Sequence, residues 1–195
     1  MNICLYGASS TKTETKYLDA VYELGRKMAE RNLGMIFGGG KTGLMGAAAR
    51  GMSDGNGYIL GIAPKVFDIP GVLYEKCSEF IYTDDMSERK KLMEEKAEAF
   101  VVVPGGAGTY DELFQVITLK QLAMENKPIG ILNVNRYFDP FVKLLDNAVN
   151  ENFMDKSAHE LYHISEDPDE LLDMIQYEKE HPMHLVSVKI KNLTK

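Results

Sequence analysis

Six short apolar runs, at residues 2–6, 35–37, 58–62, 79–82, 100–103 and 129–132, alternate along the chain with longer amphipathic or polar segments. Several are almost continuous in apolar residues. Strands read that way when both faces of their sheet are covered, so the pattern predicts a parallel sheet flanked by helices. Between the first two runs, segment 12–31 carries Tyr17, Val21, Leu24 and Met28 at helical spacing. Further helices are expected to begin near Asp84 and Asp85, near Thr109, near Asp139 and Pro140, and near Pro168. A proline suits the first helical turn, where its missing N–H is not needed. No repeat or Pro-rich linker interrupts the alternation. The expected fold is therefore α/β: a Rossmann-like, doubly wound parallel sheet with helices on both faces, in one domain over 1–180. Residues 181–195 form a C-terminal tail whose apolar burst at 185–188 has no assigned place.

A chain of 195 residues suits one such domain. Lys and Arg total 22 against 29 Asp and Glu, a net charge of −7, which disfavours polymeric DNA or RNA as a partner. No run approaches the ~20 apolar residues of a membrane span. The N-terminus enters the first strand without a basic, cleavable leader, so a cytoplasmic location is expected. Cys4 and Cys77 form no metal-ligand cluster and are expected to be buried thiols. His159, His163, His181 and His184 show no ligand spacing and are expected at the surface.

Ligands of open parallel sheets bind beyond the carboxyl ends of the strands. Three strand ends here carry small-residue loops: Gly7-Ala8-Ser9-Ser10, then Gly38-Gly39-Gly40-Lys41-Thr42-Gly43-Leu44-Met45-Gly46, then Pro104-Gly105-Gly106-Ala107-Gly108-Thr109. Glycines let backbone N–H groups approach an anion, and a helix N-terminus beyond them adds a favourable dipole. Three such loops on one sheet edge suit a nucleotide-sized ligand. The middle loop fits neither familiar nucleotide motif. Asp68 lies 25 residues past Gly43 instead of the roughly 20 expected of a ribose-binding acid. A Walker A loop ending Gly40-Lys41-Thr42 would need a glycine at Met35. A tight turn with close helix–strand packing is the other meaning open to this loop.

In the third loop, Thr109 and Glu112 have the spacing of a capping box. A cap alone gives no reason for the preceding glycines, whereas a phosphate cradle with a carboxylate one turn away does. Upstream, Met86, Met93 and Ala97 fall within about 40° of one another on a helix and are expected to form its buried stripe, flanked by Arg89 and Lys90. The two cations either snorkel over that stripe or point into the cleft, Arg89 as a bidentate clamp and Lys90 as a point charge.

The stretch Pro104-Gly105-Gly106-Ala107-Gly108-Thr109-Tyr110-Asp111-Glu112 resembles the PGGxGTxxE signature of the Lonely Guy family. Met86-x-x-Arg89-Lys90, with Arg89 23 residues before Glu112, resembles its companion motif. The loops at Gly38, Gly39 and Gly40 and at Gly7 match as well, and the resemblance spans about residues 2–165. It implies a Rossmann-like homodimer and a phosphoribohydrolase. The implied substrates are nucleoside 5′-monophosphates, AMP or cytokinin riboside 5′-monophosphates, split into free base and ribose 5-phosphate without metal or cofactor. By motif position Arg89 and Glu112 match the catalytic pair. The implied substrate-binding set is Gly7, Ser9, Ser10, Gly39, Gly40, Met86, Lys90, Gly105, Gly106, Gly108, Thr109, Asp111 and Thr118. Ala107 stands where an aromatic is common, and Tyr110-Asp111 where Leu-Glu is common. Segment 66–76 lacks an obvious counterpart of an acid some members carry, for which Asp68 and Glu75 are candidates.

N-glycoside cleavage passes through an oxocarbenium-like sugar, which a carboxylate at Glu112 would stabilise. Arg89, a poor proton donor because its pKa exceeds ~12, would stabilise the departing base or position the nucleotide. The rival from another class is a non-catalytic nucleotide-binding or carrier protein, which would keep the glycines and Thr109 but has no use for Arg89 and Glu112. A pyridoxal-dependent lysine decarboxylase is disfavoured because no lysine sits in a recognisable cofactor framework.

Overall fold

The computed structural model describes residues 1–182, so the burst at 185–188 and His184 lie outside the described residues. Seven strands form one all-parallel sheet: β1 (Asn2–Tyr6), β2 (Gly34–Phe37), β3 (Ile59–Pro64), β4 (Glu79–Thr83), β5 (Ala99–Val102), β6 (Ile129–Leu132) and β7 (His163–Ser165). Their spatial order is β4-β3-β2-β1-β5-β6-β7. The chain winds outward from β1 to β4 and then returns to lay β5 against β1, with Cys4 opposite Phe100. The β1/β5 boundary is thus the switch point of the sheet, where the crevice of such folds opens.

The connecting helices are α1 (Thr15–Glu30), α2 (Gly43–Asp54), α3 (Met86–Lys96), α4 (Ala107–Gln121), α5 (Asp139–Asn150) and α6 (Pro168–Glu180). Alternate strand residues feed two cores. Ile3, Leu5, Met35 and Val101 pack with Leu24, Leu44 and Leu171, placing α1, α2 and α6 on one face. Cys4, Tyr6, Ile36 and Val102 pack with Met93, Leu113 and Phe141, placing α3, α4 and α5 on the other. The expected doubly wound sheet is what forms.

Several boundaries and placements differ from expectation. α1 starts at Thr15 rather than Lys12. β7 has only three residues and no apolar run, and pairing with β6 makes it a strand. β4 is the opposite edge and is mostly half-exposed. Met86 is not part of the buried stripe. It is 47% exposed at the start of α3, while Met93 and Ala97 are buried. Pro140 and Pro168 sit in the first turns of α5 and α6 as expected. Cys4 is buried and Cys77 half-buried, both as free thiols.

His163 also departs from its expected surface position. It is half-buried in β7 and its Nε2 lies 2.9 Å from Glu178 Oε2. Glu178 Oε1 accepts from Lys120 at 2.6 Å, and the lysine side chain has 0% exposure. This contact joins α4 to α6 past the sheet edge. Burial pushes the Lys120 ammonium below its ordinary value, against the pull of Glu178. Glu178 is held below the usual carboxylate range despite burial, by His163 and Lys120. Removing one member of a buried pair strands the other, so Glu178→Leu is expected to cost about 3–5 kcal/mol. Denaturant unfolding measures the loss, and the Lys120→Met/Glu178→Leu double variant should recover most of it.

Candidate active site

The three glycine loops meet at the switch point through Ala8. Its N–H donates to Pro104 O at 3.1 Å, and its carbonyl accepts from Leu44 N at 2.8 Å and Met45 N at 3.3 Å. The Thr42 hydroxyl, which could have capped α2, donates to Ser9 O instead. Two N–H groups in the first turn of α2 are therefore spent on the β1 loop. The middle glycine loop thus packs the start of α2 against the loop after β1.

α4 begins differently. Gly106 is its N-cap and no side chain caps it, so the orphan N–H groups of its first turn meet a cavity lined by Gly106, Gly108 and Thr109. The alternative reading of Thr109 and Glu112 as a capping box does not hold, because the helix starts two residues earlier and Thr109 already lies inside it. Gly105 makes room for this turn. A Cβ there would stand 2.1 Å from Thr109 Oγ1. Tyr137 donates to Gly105 O at 2.6 Å and fixes the loop from behind.

A side-chain cap occurs at α3 instead. Asp85 is the N-cap and accepts from Glu88 N, while Glu88 Oε2 accepts from Asp84 N. That start aims Arg89 inward. The residue is 8% exposed. Its Nε donates to Ile62 O at 3.3 Å and its Nη1 to Glu112 Oε1 at 3.0 Å. Snorkelling is thereby excluded for Arg89. Lys90 pairs with Asp111 Oδ2 at 2.6 Å nearer the mouth, so two parallel ion pairs join α3 to α4. Burial pushes the Glu112 carboxyl above its ordinary value, opposed by the Arg89 guanidinium.

The cavity, of about 390 Å³, brings together Gly7, Ser9, Ser10, Met86, Arg89, Lys90, Gly106, Gly108, Thr109, Asp111 and Glu112 from the candidate set. Ala8 and Met45 line it too, and the Leu44-Met45 pair of the middle loop was the signal for the latter. Gly39 and Gly40 are outside its walls. They hold the segment after β3 through Tyr74 N to Gly39 O and a bridge from Gly40 to Leu73. Gly105 acts behind the wall, through Thr109. Thr118 is exposed farther along α4 and lines no part of the cavity. Asp68 accepts from the Tyr82 hydroxyl, and Glu75 lies near Lys41 in a separate cavity of about 500 Å³ that shares only Ser10 with the first. Neither lines the cavity that holds Arg89 and Glu112. No cluster of three or more His, Cys, Asp or Glu side chains suited to a metal occurs among the described residues.

A doubly wound parallel sheet with an uncapped helix N-terminus and a buried acid–guanidinium pair at its switch point defines the class: a Rossmann-like α/β protein with a cavity at the carboxyl ends of its strands. The family model described as "Possible lysine decarboxylase" matches residues 45–175. The chain is 36% identical over 174 residues to the cytokinin riboside 5′-monophosphate phosphoribohydrolase LOG2 of Arabidopsis thaliana, covering 89% of this chain and 82% of that one. It is 37% identical over 185 residues to the cytokinin riboside 5′-monophosphate phosphoribohydrolase LOG of Oryza sativa subsp. japonica, covering 94% and 76%. The molybdenum cofactor carrier protein of Chlamydomonas reinhardtii shares the fold, with a TM-score of 0.68 at 21% identity over 90% of this chain and 96% of that one. The chain belongs to the Lonely Guy family.

The raised Glu112 carboxyl carries a stability signature. The native state holds that proton more tightly than the unfolded chain does. Its contribution is therefore full below the ordinary carboxylate pKa and is lost as pH rises through the native value. The difference in unfolding free energy between the parent and Glu112→Gln, measured from pH 4 upward, is expected to fall with rising pH across that window.

Proposed function

We propose that this protein is a phosphoribohydrolase of nucleoside 5′-monophosphates. It cleaves the N-glycosidic bond of AMP or cytokinin riboside 5′-monophosphates and releases free base and ribose 5-phosphate. The observation that carries the reading is the pairing of Arg89 with Glu112 inside the same cavity that the uncapped first turn of α4 enters. The curated relatives' names support the substrate class.

The phosphate sits on the N–H groups of Gly106, Gly108 and Thr109, where the α4 dipole favours negative charge. That remote contact orients the sugar, and its binding energy is spent at the reacting carbon. As the C1′–N bond breaks, its electron pair leaves with the base and positive charge grows on the sugar ring. Glu112 stabilises that charge. Its Oε1 is engaged by Arg89, which leaves Oε2 to orient water and take its proton as the oxygen bonds to C1′. The water thus supplies the hydroxyl of ribose 5-phosphate, and its proton, released by Glu112, passes through solvent to the departing base and leaves the carboxylate ionised again. Arg89 keeps Glu112 ionised and in place. Met45 and Met86 give the cavity an apolar side for the base. Resident metal or cofactor has no part in this reaction scheme.

Two further statements belong to the same proposal. The chain acts as a homodimer through the exposed face of α4, where Phe114 and Thr118 lie one turn apart, so Thr118 would serve a partner's cavity. It works in the cytoplasm on monomeric nucleotides. No helix among the described residues is long and apolar enough to cross a membrane.

Purified protein incubated with AMP is expected to release adenine and ribose 5-phosphate, read by chromatography, with Glu112→Gln and Arg89→Ala each lowering kcat by about 10²-fold or more. Full activity in both variants would remove the assigned roles. Adenosine, lacking the phosphate, is expected to react far more slowly than AMP at equal concentration, and the loss should appear in kcat as well as KM. The acid limb of the kcat/KM profile is expected above the ordinary glutamate value, because Glu112 must be ionised.

A further inference from the structure

The Arg89 guanidinium has three nitrogens, and two are bonded: Nε to the Ile62 carbonyl of β3 and Nη1 to Glu112 of α4. The third, Nη2, lies over Gly38 at the end of β2. A Cβ built on Gly38 would stand 2.2 Å from Nη2 and 3.2 Å from Arg89 Cζ, with Met45 Sδ at 3.4 Å. Every atom that Cβ would meet closely belongs to a side chain, and the nearest ones belong to Arg89. We propose that Gly38 is a positioning residue for the reaction: its missing side chain and the Ile62 carbonyl together form the seat that holds the Arg89 guanidinium against Glu112. The inference rests on the hydrolase reading above, in which Arg89 and Glu112 act.

An arginine tip ordinarily swings aside at little cost, but this one is buried and tied on two sides. Restoring an ordinary contact of about 3.5 Å requires Nη2 to retreat by roughly 1.3 Å. The retreat loosens the bond to Glu112, the bond to Ile62, or both. Glu112 is faced by Arg89 and Lys90 from α3, by Asp111 on its own helix, and by Cys4 and Tyr6 of β1. Burial holds the Cys4 thiol and the Tyr6 phenol neutral well above the carboxylate range. Lys90 is occupied by Asp111. Displacing Arg89 therefore removes the principal group that favours ionised Glu112. This explains the first glycine of the middle loop, which is absent from the candidate substrate-binding residues and lies outside the cavity wall.

The test is a cycle of Gly38→Ala, Arg89→Ala and the double variant, read first by carbon NMR titration of the Glu112 carboxyl in protein without substrate. Gly38→Ala is expected to raise the Glu112 midpoint in the same direction as Arg89→Ala. Adding Gly38→Ala to Arg89→Ala should change nothing, since the clashing group is gone. With AMP, Gly38→Ala alone should lower kcat by about 10–10²-fold, the scale of an ångström-sized misplacement. In the Arg89→Ala background the further loss should be less than about twofold, because coupled sites do not add. If Gly38→Ala alone fails to fold, recovery of folding in the double variant carries the same assignment. An unchanged Glu112 midpoint in Gly38→Ala, equal losses in both backgrounds, or a double variant as unfolded as the single overturns it. A parent that leaves both AMP and a cytokinin riboside 5′-monophosphate intact removes the hydrolase reading, while the titration still decides whether Gly38 seats Arg89.

Discussion

A guanidinium withdrawn from solvent and bonded to one carboxylate is the constraint around which this site is arranged. Arg89 must cross from α3 to α4 beneath the carboxyl ends of β2 and β3, and everything along that path is shaped to let it pass. The Asp85 cap aims the helix, the Ile62 carbonyl takes Nε, and the end of β2 carries no side chain where Nη2 lies. A buried pair of this kind is weak support for stability, because desolvation of both charges offsets their attraction. Its value lies in the site: a carboxylate whose protonation is set by burial on one side and a fixed cation on the other.

The three glycine loops look alike in sequence but serve two purposes. In the middle loop, N–H groups of Leu44 and Met45 are consumed by the Ala8 carbonyl, and the helix is drawn against β1. In the third loop, the first turn of α4 has no cap and opens on the cavity. The difference is one of hydrogen-bond partners. It also bears on the contrast with carrier proteins, since the molybdenum cofactor carrier shares this fold at 21% identity. A fold hosts many functions, and the distinction lies in the groups placed at the crevice. Here an acid and a cation are locked together beside the uncapped first turn of α4, an arrangement that simple carriage of a ligand gives no reason for.

Much of the architecture was legible because strands covered on both faces must be apolar throughout, as at Ile3, Cys4 and Leu5, and because Pro140 and Pro168 mark helix starts. β7 was illegible since three residues around His163 carry no period, and only the hydrogen bonds of β6 make them a strand. Met86 was misplaced by periodicity. Its angle on the helix matches Met93, but it lies in the first turn, exposed at the wall of the cavity, where there is no core to receive it. Arg89, Glu112 and Thr109 were legible from motif spacing. Their geometry was not, because Arg89 on α3 and Glu112 on α4 meet only when the two helices pack side by side on one face of the sheet.

The sequence by itself determined the alternation of strand and helix, the polarity of the two cores and the residue types available at the strand ends, all of which follow from local periodicity and backbone freedom. The tertiary structure alone decided which helix N-terminus is open, which cation is buried, and which glycine is a void for a side chain 51 residues away in the chain. Those outcomes depend on where the β1/β5 switch brings distant segments together, and partners chosen by packing leave no periodic trace in the chain.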